Sequence, residues 1–394
     1  MIATGLDRLL ADPGPLAGRR CGLLAHAASL TRNLVPAHLA LAGLPGAAPA
    51  RLFGPEHGFY GVEQDMIAAA GGVDPWTGLA TQSLYGDSAS TLKPSPAALT
   101  GLDLLVIDLQ DVGSRYYTYA ATAVWAAEVA LAAGCEVWVL DRPNPLGGEV
   151  IEGNLPRPGL ESFVGAFRMP VRHGLTLGEI VALEARRRGW PEGWRVVTME
   201  GWSRGRRWRQ LGRPWVAPSP NMPTPETAEI YPGGCLVEAT TLSEGRGTTR
   251  PFHLVGAPGV DAPALCRELA RRELPGVAFL PTLFRPQFQK WAGALCEGVE
   301  VVVTDPAAFA PYRAGLELLA AFRAVAPEAF GWRAEAYEFV ADRPAIDLLT
   351  GDPAYRAAIE AGEGFAERAE GWRADEAAFR EERREILLYP EAER

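Results

Sequence analysis

The run Leu102-Asp-Leu-Leu-Val-Ile-Asp-Leu109 constrains the fold more than any other stretch of the chain. A nearly continuous apolar run suits a strand buried on both faces, as in a parallel sheet covered by helices. Shorter runs flank it at Cys21-Gly-Leu-Leu-Ala25, Leu52-Phe53 and Glu136-Val-Trp-Val-Leu140, with helical stretches at 36–42 and 120–133. This alternation predicts an α/β fold with a Rossmann-like parallel sheet. A dinucleotide site would place G-x-G-x-x-G after the first strand, because the pyrophosphate must approach bare backbone there. His26-Ala-Ala-Ser29 stands there instead, so neither a nicotinamide nor a flavin cofactor is expected.

The predicted strands leave into loops dense in polar side chains. Gly54-Pro-Glu-His-Gly58 presents Glu56 and His57 between turn-forming residues. They read either as a proton-transfer pair or as two side chains facing water. The long run ends in Asp108, Gln110, Asp111, Gly113, Ser114 and Arg115, followed by Tyr116, Tyr117 and Tyr119. The next exit is Asp141-Arg-Pro-Asn-Pro145. In a parallel sheet these loops share the rim where α/β proteins bind ligands. Residues 61–96, rich in Gly, Pro, Thr, Ser and Asp but carrying Trp76 and Tyr85, read as a long ordered loop covering a site.

A length of 394 residues favours two domains over one core. Gly256-Ala-Pro-Gly259 is the best boundary, dividing a Rossmann-like catalytic domain (1–256) from a smaller α+β domain (257–394). The second part reads as a helix at 262–272, strands at 276–280 and 299–304, and a last helix at 366–387 without a catalytic cluster. Before the boundary, Thr176 and Glu179 form a T-x-x-E helix start. Trp202, Trp208, Trp215 and Pro218-Ser-Pro-Asn-Met-Pro223 form a rigid packed wall. The net charge of −10 argues against a nucleic-acid partner. Five scattered cysteines without C-x-x-C spacing argue against disulfides or structural zinc. No run approaches the ~20 apolar residues of a membrane span, and no secretory leader pattern stands at the N-terminus. The chain reads as cytoplasmic.

Six motifs, in order and at their spacing, closely resemble the exo-β-N-acetylmuramidase (NamZ-type) family of glycoside hydrolases. They are Gly54-Pro-Glu-His-Gly58, Leu109-Gln-Asp-Val-Gly-Ser-Arg-Tyr-Tyr-Thr-Tyr119, Asp141-Arg-Pro-Asn-Pro145, Val171-Arg-His-Gly174, Pro218-Ser-Pro-Asn-Met-Pro-Thr224 and Leu242-Ser-Glu-Gly-Arg-Gly-Thr-Thr249. The resemblance covers almost the whole chain, down to Leu387-Leu-Tyr-Pro390. It implies a Rossmann-like domain carrying the site and a smaller C-terminal domain. It also implies release of terminal N-acetylmuramic acid from the non-reducing end of peptidoglycan fragments, in cell-wall turnover or recycling. The substrate would be a small carbohydrate of muropeptide or MurNAc-GlcNAc type. Two stretches depart from the family. Glu238-Ala-Thr-Thr-Leu-Ser-Glu244 replaces Glu-Gly-Thr-Asn-Leu-Ser-Glu, and Phe59-Tyr-Gly-Val-Glu-Gln-Asp65 replaces an Arg-Gly-rich continuation.

Glycoside cleavage needs a proton for the leaving oxygen and stabilisation of a cationic ring, usually from two carboxyl groups. Glu56 is the expected acid. Glu244, Asp111, Asp108 and Glu238 all qualify by type as the second carboxylate, with Glu244 preferred, and the substrate's acetamido group is an alternative nucleophile. Muramic acid carries a lactyl carboxylate that a guanidinium fork would receive. Arg115, Arg142, Arg172 and Arg246 are candidates, Arg142 being favoured for its proline-stiffened loop. His57, Asp111, Tyr116, Asn144, His173 and Asn221 complete the expected substrate contacts. No metal is expected. Two other functions stay open: a metal-dependent hydrolase or amidase using His57 and His173, and a sugar-binding protein without catalysis.

Overall fold

The computed structural model describes residues 2–44 and 46–391. Seven strands form the main sheet: β1 (Cys21–Ala25), β2 (Arg51–Gly54), β3 (Gly72–Val73), β4 (Ala80–Ser83), β5 (Leu104–Asp108), β6 (Glu136–Leu140) and β7 (Trp194–Val197). Their order is β3-β4-β2-β1-β5-β6-β7, parallel except for the edge strand β3. Every residue of β5 is buried. Strand periodicity sends Leu105 and Ile107 into the larger apolar core, while Leu104 and Val106 face a second core on the other side. Strand β6 divides the same way, with Val137 and Val139 against Trp138 and Leu140. Each such side chain contributes about 1.5–3 kcal/mol on burial, which explains why these runs contain no alternation.

The helix Tyr119–Ala132 returns the chain from β5 to β6, alanine-rich and mostly buried. The helix Leu177–Arg188 starts with the Thr176/Glu179 capping box. Its start is anchored by Asp141 at the exit of β6, which accepts from Thr176 Oγ1 (2.6 Å) and Gly178 N (2.8 Å). Tyr389 near the C-terminus donates to the same carboxylate at 2.5 Å, so the tail is fastened to the main sheet.

A second, antiparallel sheet has the order β8 (Leu254–Ala257), β10 (Cys296–Val303), β9 (Val277–Phe284). The α/β domain and the smaller α+β part thus match the sequence reading. Gly256 pairs with Gly298 inside this sheet, so the second sheet draws on residues either side of the sequence boundary. Residues 61–96, read as loop throughout, contribute β3 and β4 to the edge of the main sheet. One apolar core runs on from the main sheet into the C-terminal helices, reaching Phe365 and Phe379. Among the described residues no helix is long and apolar enough to cross a membrane.

The helices Pro225–Gly234 and Pro311–Val325 cross where two glycines meet. A Cβ on Gly315 would stand 2.5 Å from both Cα and O of Gly233. Gly315→Ala should therefore lower stability by about 1–3 kcal/mol through overpacking. Gly371, inside the helix Ala366–Arg383 with open space around it, is the contrast. Gly371→Ala should raise stability by about 0.5–1 kcal/mol, since alanine loses less entropy in a helix. Denaturant melts of both variants check the pair of signs.

Candidate active site

The loop after β2 is tightly wound. Gly58 N donates to Pro55 O at 3.0 Å, and His57 takes a left-handed backbone with φ 69°, a place usually given to glycine. This winding buries both Glu56 and His57 in the lining of a narrow cleft. Thr118 Oγ1 donates to Glu56 Oε2 at 2.6 Å. His57 Nδ1 lies 2.9 Å from the carbonyl of Glu63. A carbonyl only accepts, so Nδ1 carries a proton, and Nε2 is left for other partners.

The other wall comes from the second half of the chain. Glu338 and Phe339 are the central residues of a tight turn closed by Tyr337 N to Val340 O and Val340 N to Tyr337 O, both 2.9 Å. Both take positive φ, 46° and 67°, the geometry that hairpins normally give to Asn-Gly. Backbone strain of this kind costs on the order of 1–3 kcal/mol per residue and concentrates at functional sites. His57, Phe252 and Glu338, all in the cleft lining, have such backbone.

Glu338 accepts from Tyr85 OH at 2.9 Å. Burial, and then the neighbouring charge of Glu56, push its carboxyl well above the usual range. Glu238 accepts from Arg246 Nη2 and Tyr337 OH, both at 2.7 Å. Burial pushes its carboxyl up, and the Arg246 charge opposes that. Arg246 also pairs with Asp65 (3.3 Å) and Glu244 (3.2 Å), so one guanidinium meets three carboxylates.

Of the residues named from sequence, Glu56, His57, Tyr116, Asn221, Glu238 and Arg246 line the cleft together. The Tyr116 hydroxyl has no partner among the described residues, and Asn221 Nδ2 donates to Gln64 Oε1 at 2.8 Å. Glu244 lies behind Arg246, held also by Lys290 Nζ at 2.9 Å, and is not part of the lining. Five further residues lie elsewhere. Arg115 donates to four backbone carbonyls, of Asn154, Met169, Leu349 and Thr350, at 2.8–3.0 Å. Arg142 places its fork on Asp108 at 2.6 and 2.8 Å. Asn144 holds its own turn through Leu146 N and Leu175 O. Asp111 accepts from Gly113 N at 2.6 Å, and burial raises its carboxyl to about 7. His173, fully buried 3.6 Å from Asp111, is lowered to about 3 by burial and is neutral.

Arg172, the remaining arginine candidate, donates to Leu146 O. Among the described residues no group of three or more His, Cys, Asp or Glu side chains is arranged to hold a metal. Asp65, Thr118, Tyr337 and Glu338 were missed from sequence. The signal for Asp65 was present in the departure at 59–65, but Glu338 sits in a stretch without turn residues.

Two family models cover nearly the whole chain. The N-terminal model of the exo-β-N-acetylmuramidase NamZ family matches residues 21–226, and its C-terminal model matches 229–389. The chain belongs to this family. It is 38% identical over 389 residues to the peptidoglycan β-N-acetylmuramidase NamZ of Bacillus subtilis, covering 98% of this chain and 91% of that protein. Two crystal structures of DUF1343 family proteins from Bacteroides fragilis share the fold. One has a TM-score of 0.88 at 31% identity, covering 98% of this chain and 99% of the other. The second has a TM-score of 0.75 at 25% identity, with both chains fully covered.

The cleft therefore combines carboxyl groups from both halves. A carboxyl held protonated by burial costs the fold stability above its unfolded pKa of about 4.3, and the cost grows as pH rises towards the folded value. Glu338→Gln removes that cost while keeping an acceptor for Tyr85. The variant's Tm minus that of the wild type should be more positive at pH 8 than at pH 4. Thermal melts at the two pH values check this, and an equal or reversed difference would contradict a buried, protonated Glu338.

Proposed function

We propose that the protein is a glycosidase releasing β-linked N-acetylmuramic acid from the non-reducing end of peptidoglycan fragments. The observation that carries this reading is the meeting of Glu56, Glu238 and Glu338 in one cleft of a chain belonging to the exo-β-N-acetylmuramidase family. A pair of carboxyl groups is what glycosidic cleavage requires. The roof supports exo rather than endo action. The segment after His57 is tied to the cleft and its surroundings by Gln64 to Asn221, Asp65 to Arg246 and to Gln289, and Met66 to Arg333. A pocket closed this way admits a chain end and not a continuous strand.

Glu56 and Glu338 line the same cleft, and after burial the charge of Glu56 is what raises the Glu338 carboxyl. The proton held by the pair passes to the bridging oxygen as the C1–O bond breaks. Glu238, oriented by Arg246 and Tyr337, supplies negative charge to the cationic ring carbon. A water then adds to C1 and returns its proton to the pair, giving free N-acetylmuramic acid and the shortened glycan. His57 Nε2, Tyr116 and Asn221 are placed to bond sugar hydroxyl or acetamido groups. Five free thiols, four of them buried, suit a reducing compartment, and we assign the protein to the cytoplasm on that ground.

The test is hydrolysis of a chromogenic β-N-acetylmuramide. Glu56→Gln and Glu338→Gln should each lower kcat by about 10²–10⁴-fold. If either keeps more than about a tenth of the wild-type kcat, that residue leaves the proton pair. A wild type without turnover of the muramide would overturn the function itself.

A further inference from the structure

Muramic acid differs from glucosamine by an ether-linked lactyl group with a free carboxylate, so a muramidase cleft needs a cation to tell the two apart. The four arginines in the sequence motifs are occupied. Arg115 is enclosed by carbonyls, Arg142 is paired with Asp108, Arg172 is bound to Leu146 O, and Arg246 is shared by three carboxylates. Lys290 is bound to Glu244 and to the carbonyls of Val237, Glu238 and Leu242.

Arg333 differs in one respect: among the described residues no carbonyl or carboxylate oxygen accepts from its guanidinium. Its backbone N–H donates to Ala239 O at 2.8 Å, which fixes the residue beside Glu238. Its guanidinium carbon lies 5.5 Å from the centroid of the Tyr337 ring. Nη2 touches only the thioether of Met66, at 3.4 Å, and Nε has no partner. Among the described residues Arg333 makes no ion pair. A planar guanidinium stacked on an aromatic ring suits bidentate carboxylate recognition, and Arg333 holds no carboxylate here. Its charge helps to lower the Asp65 carboxyl, which Arg246 and Gln289 already hold. Tyr337 and Asp65 both line the cleft, so Arg333 stands on its rim, against the wall that also carries Glu338.

We propose that Arg333 receives the lactyl carboxylate of the terminal muramic acid and sets the preference for muramides over glucosaminides. The proposal rests on the muramidase reading of the cleft. The planar fork would take the carboxylate in two parallel hydrogen bonds, with Tyr337 holding the guanidinium plane. A substrate lacking the anion leaves Arg333 in the unpaired state it has here, so it gains nothing from this contact.

The experiment compares three chromogenic substrates: the β-N-acetylmuramide, its lactyl N-methylamide and the β-N-acetylglucosaminide. The wild type should turn over the free-acid muramide best. Arg333→Gln should lower kcat/KM on that substrate by about 10²-fold or more, mostly through KM, and bring it to the level of the other two. Arg333→Lys keeps the charge without the fork and should fall between. Either variant keeping the wild-type preference for the free acid would overturn the proposal. So would an equal loss on all three substrates, because that marks a structural role. A wild type that cleaves none of them would defeat the muramidase reading instead, and a wild type cleaving all three equally would show that no lactyl receptor operates.

Discussion

The buried guanidinium of Arg246 is the interaction on which the cleft depends. Asp65 comes from the roof segment, Glu238 from the cleft wall and Glu244 from the loop that carries Arg246, and all three turn to one cation. Buried carboxylates of like sign repel, and removing the single opposing charge from such a group typically costs about 3–5 kcal/mol. Lys290 relieves the excess on Glu244 from the far side. The result is a fixed electrostatic frame built before any sugar arrives, with Glu238 aimed by two donors and the roof drawn down through Asp65. Because Arg246 is saturated, it is poorly placed to recognise a further anion, and recognition falls to a side chain at the edge.

The position of the cleft follows from how the main sheet is used. Strand order reverses between β1 and β5, and ligands of open α/β sheets ordinarily lie in the crevice at that point. Here the chain fills it. His26 after β1 accepts from Gln110 N at 2.9 Å and lies 3.0 Å from Pro218 O. Asp108 is closed by Arg142, and Tyr119 OH donates to the same Pro218 carbonyl at 2.8 Å. The proline-rich wall thus plugs the nucleotide crevice and pushes the site outward, above the exit of β2. There the second half of the chain can supply Glu238, Tyr337 and Glu338. A dinucleotide fingerprint is absent because its place is taken by packing.

Much of this was legible in the residues. Cys21–Ala25 and Glu136–Leu140 are strands at the bounds their apolar runs suggest, since each is buried on both faces and burial decides where a strand ends. Glu56 and His57 could be found because Gly and Pro frame them in a short, well-marked turn. Arginines were the harder problem. Arg115 and Arg142 stand in motifs as firmly as Arg246 does, yet carbonyls and Asp108 consume them, and no spacing reveals which charges a fold will pair internally. Glu338 was invisible for a different reason. Its turn places Glu and Phe where Asn and Gly would be strain-free, so local propensity pointed away from the very feature that places the carboxyl in the cleft.

That mismatch connects stability with chemistry. A left-handed backbone at Glu338, a carboxyl desolvated beside Tyr85 and a second carboxyl nearby all oppose folding locally. They persist because the surroundings are over-determined: a continuous core crosses from the main sheet to Phe379, and Tyr389 ties the tail to Asp141. An isolated C-terminal half would lack Glu56, Thr118 and Tyr85, and nothing would hold the Glu338 turn in its strained form. The two halves therefore act as one catalytic body. The first supplies Glu56 and Thr118 to the cleft lining, and the second supplies Glu238, Tyr337 and Glu338.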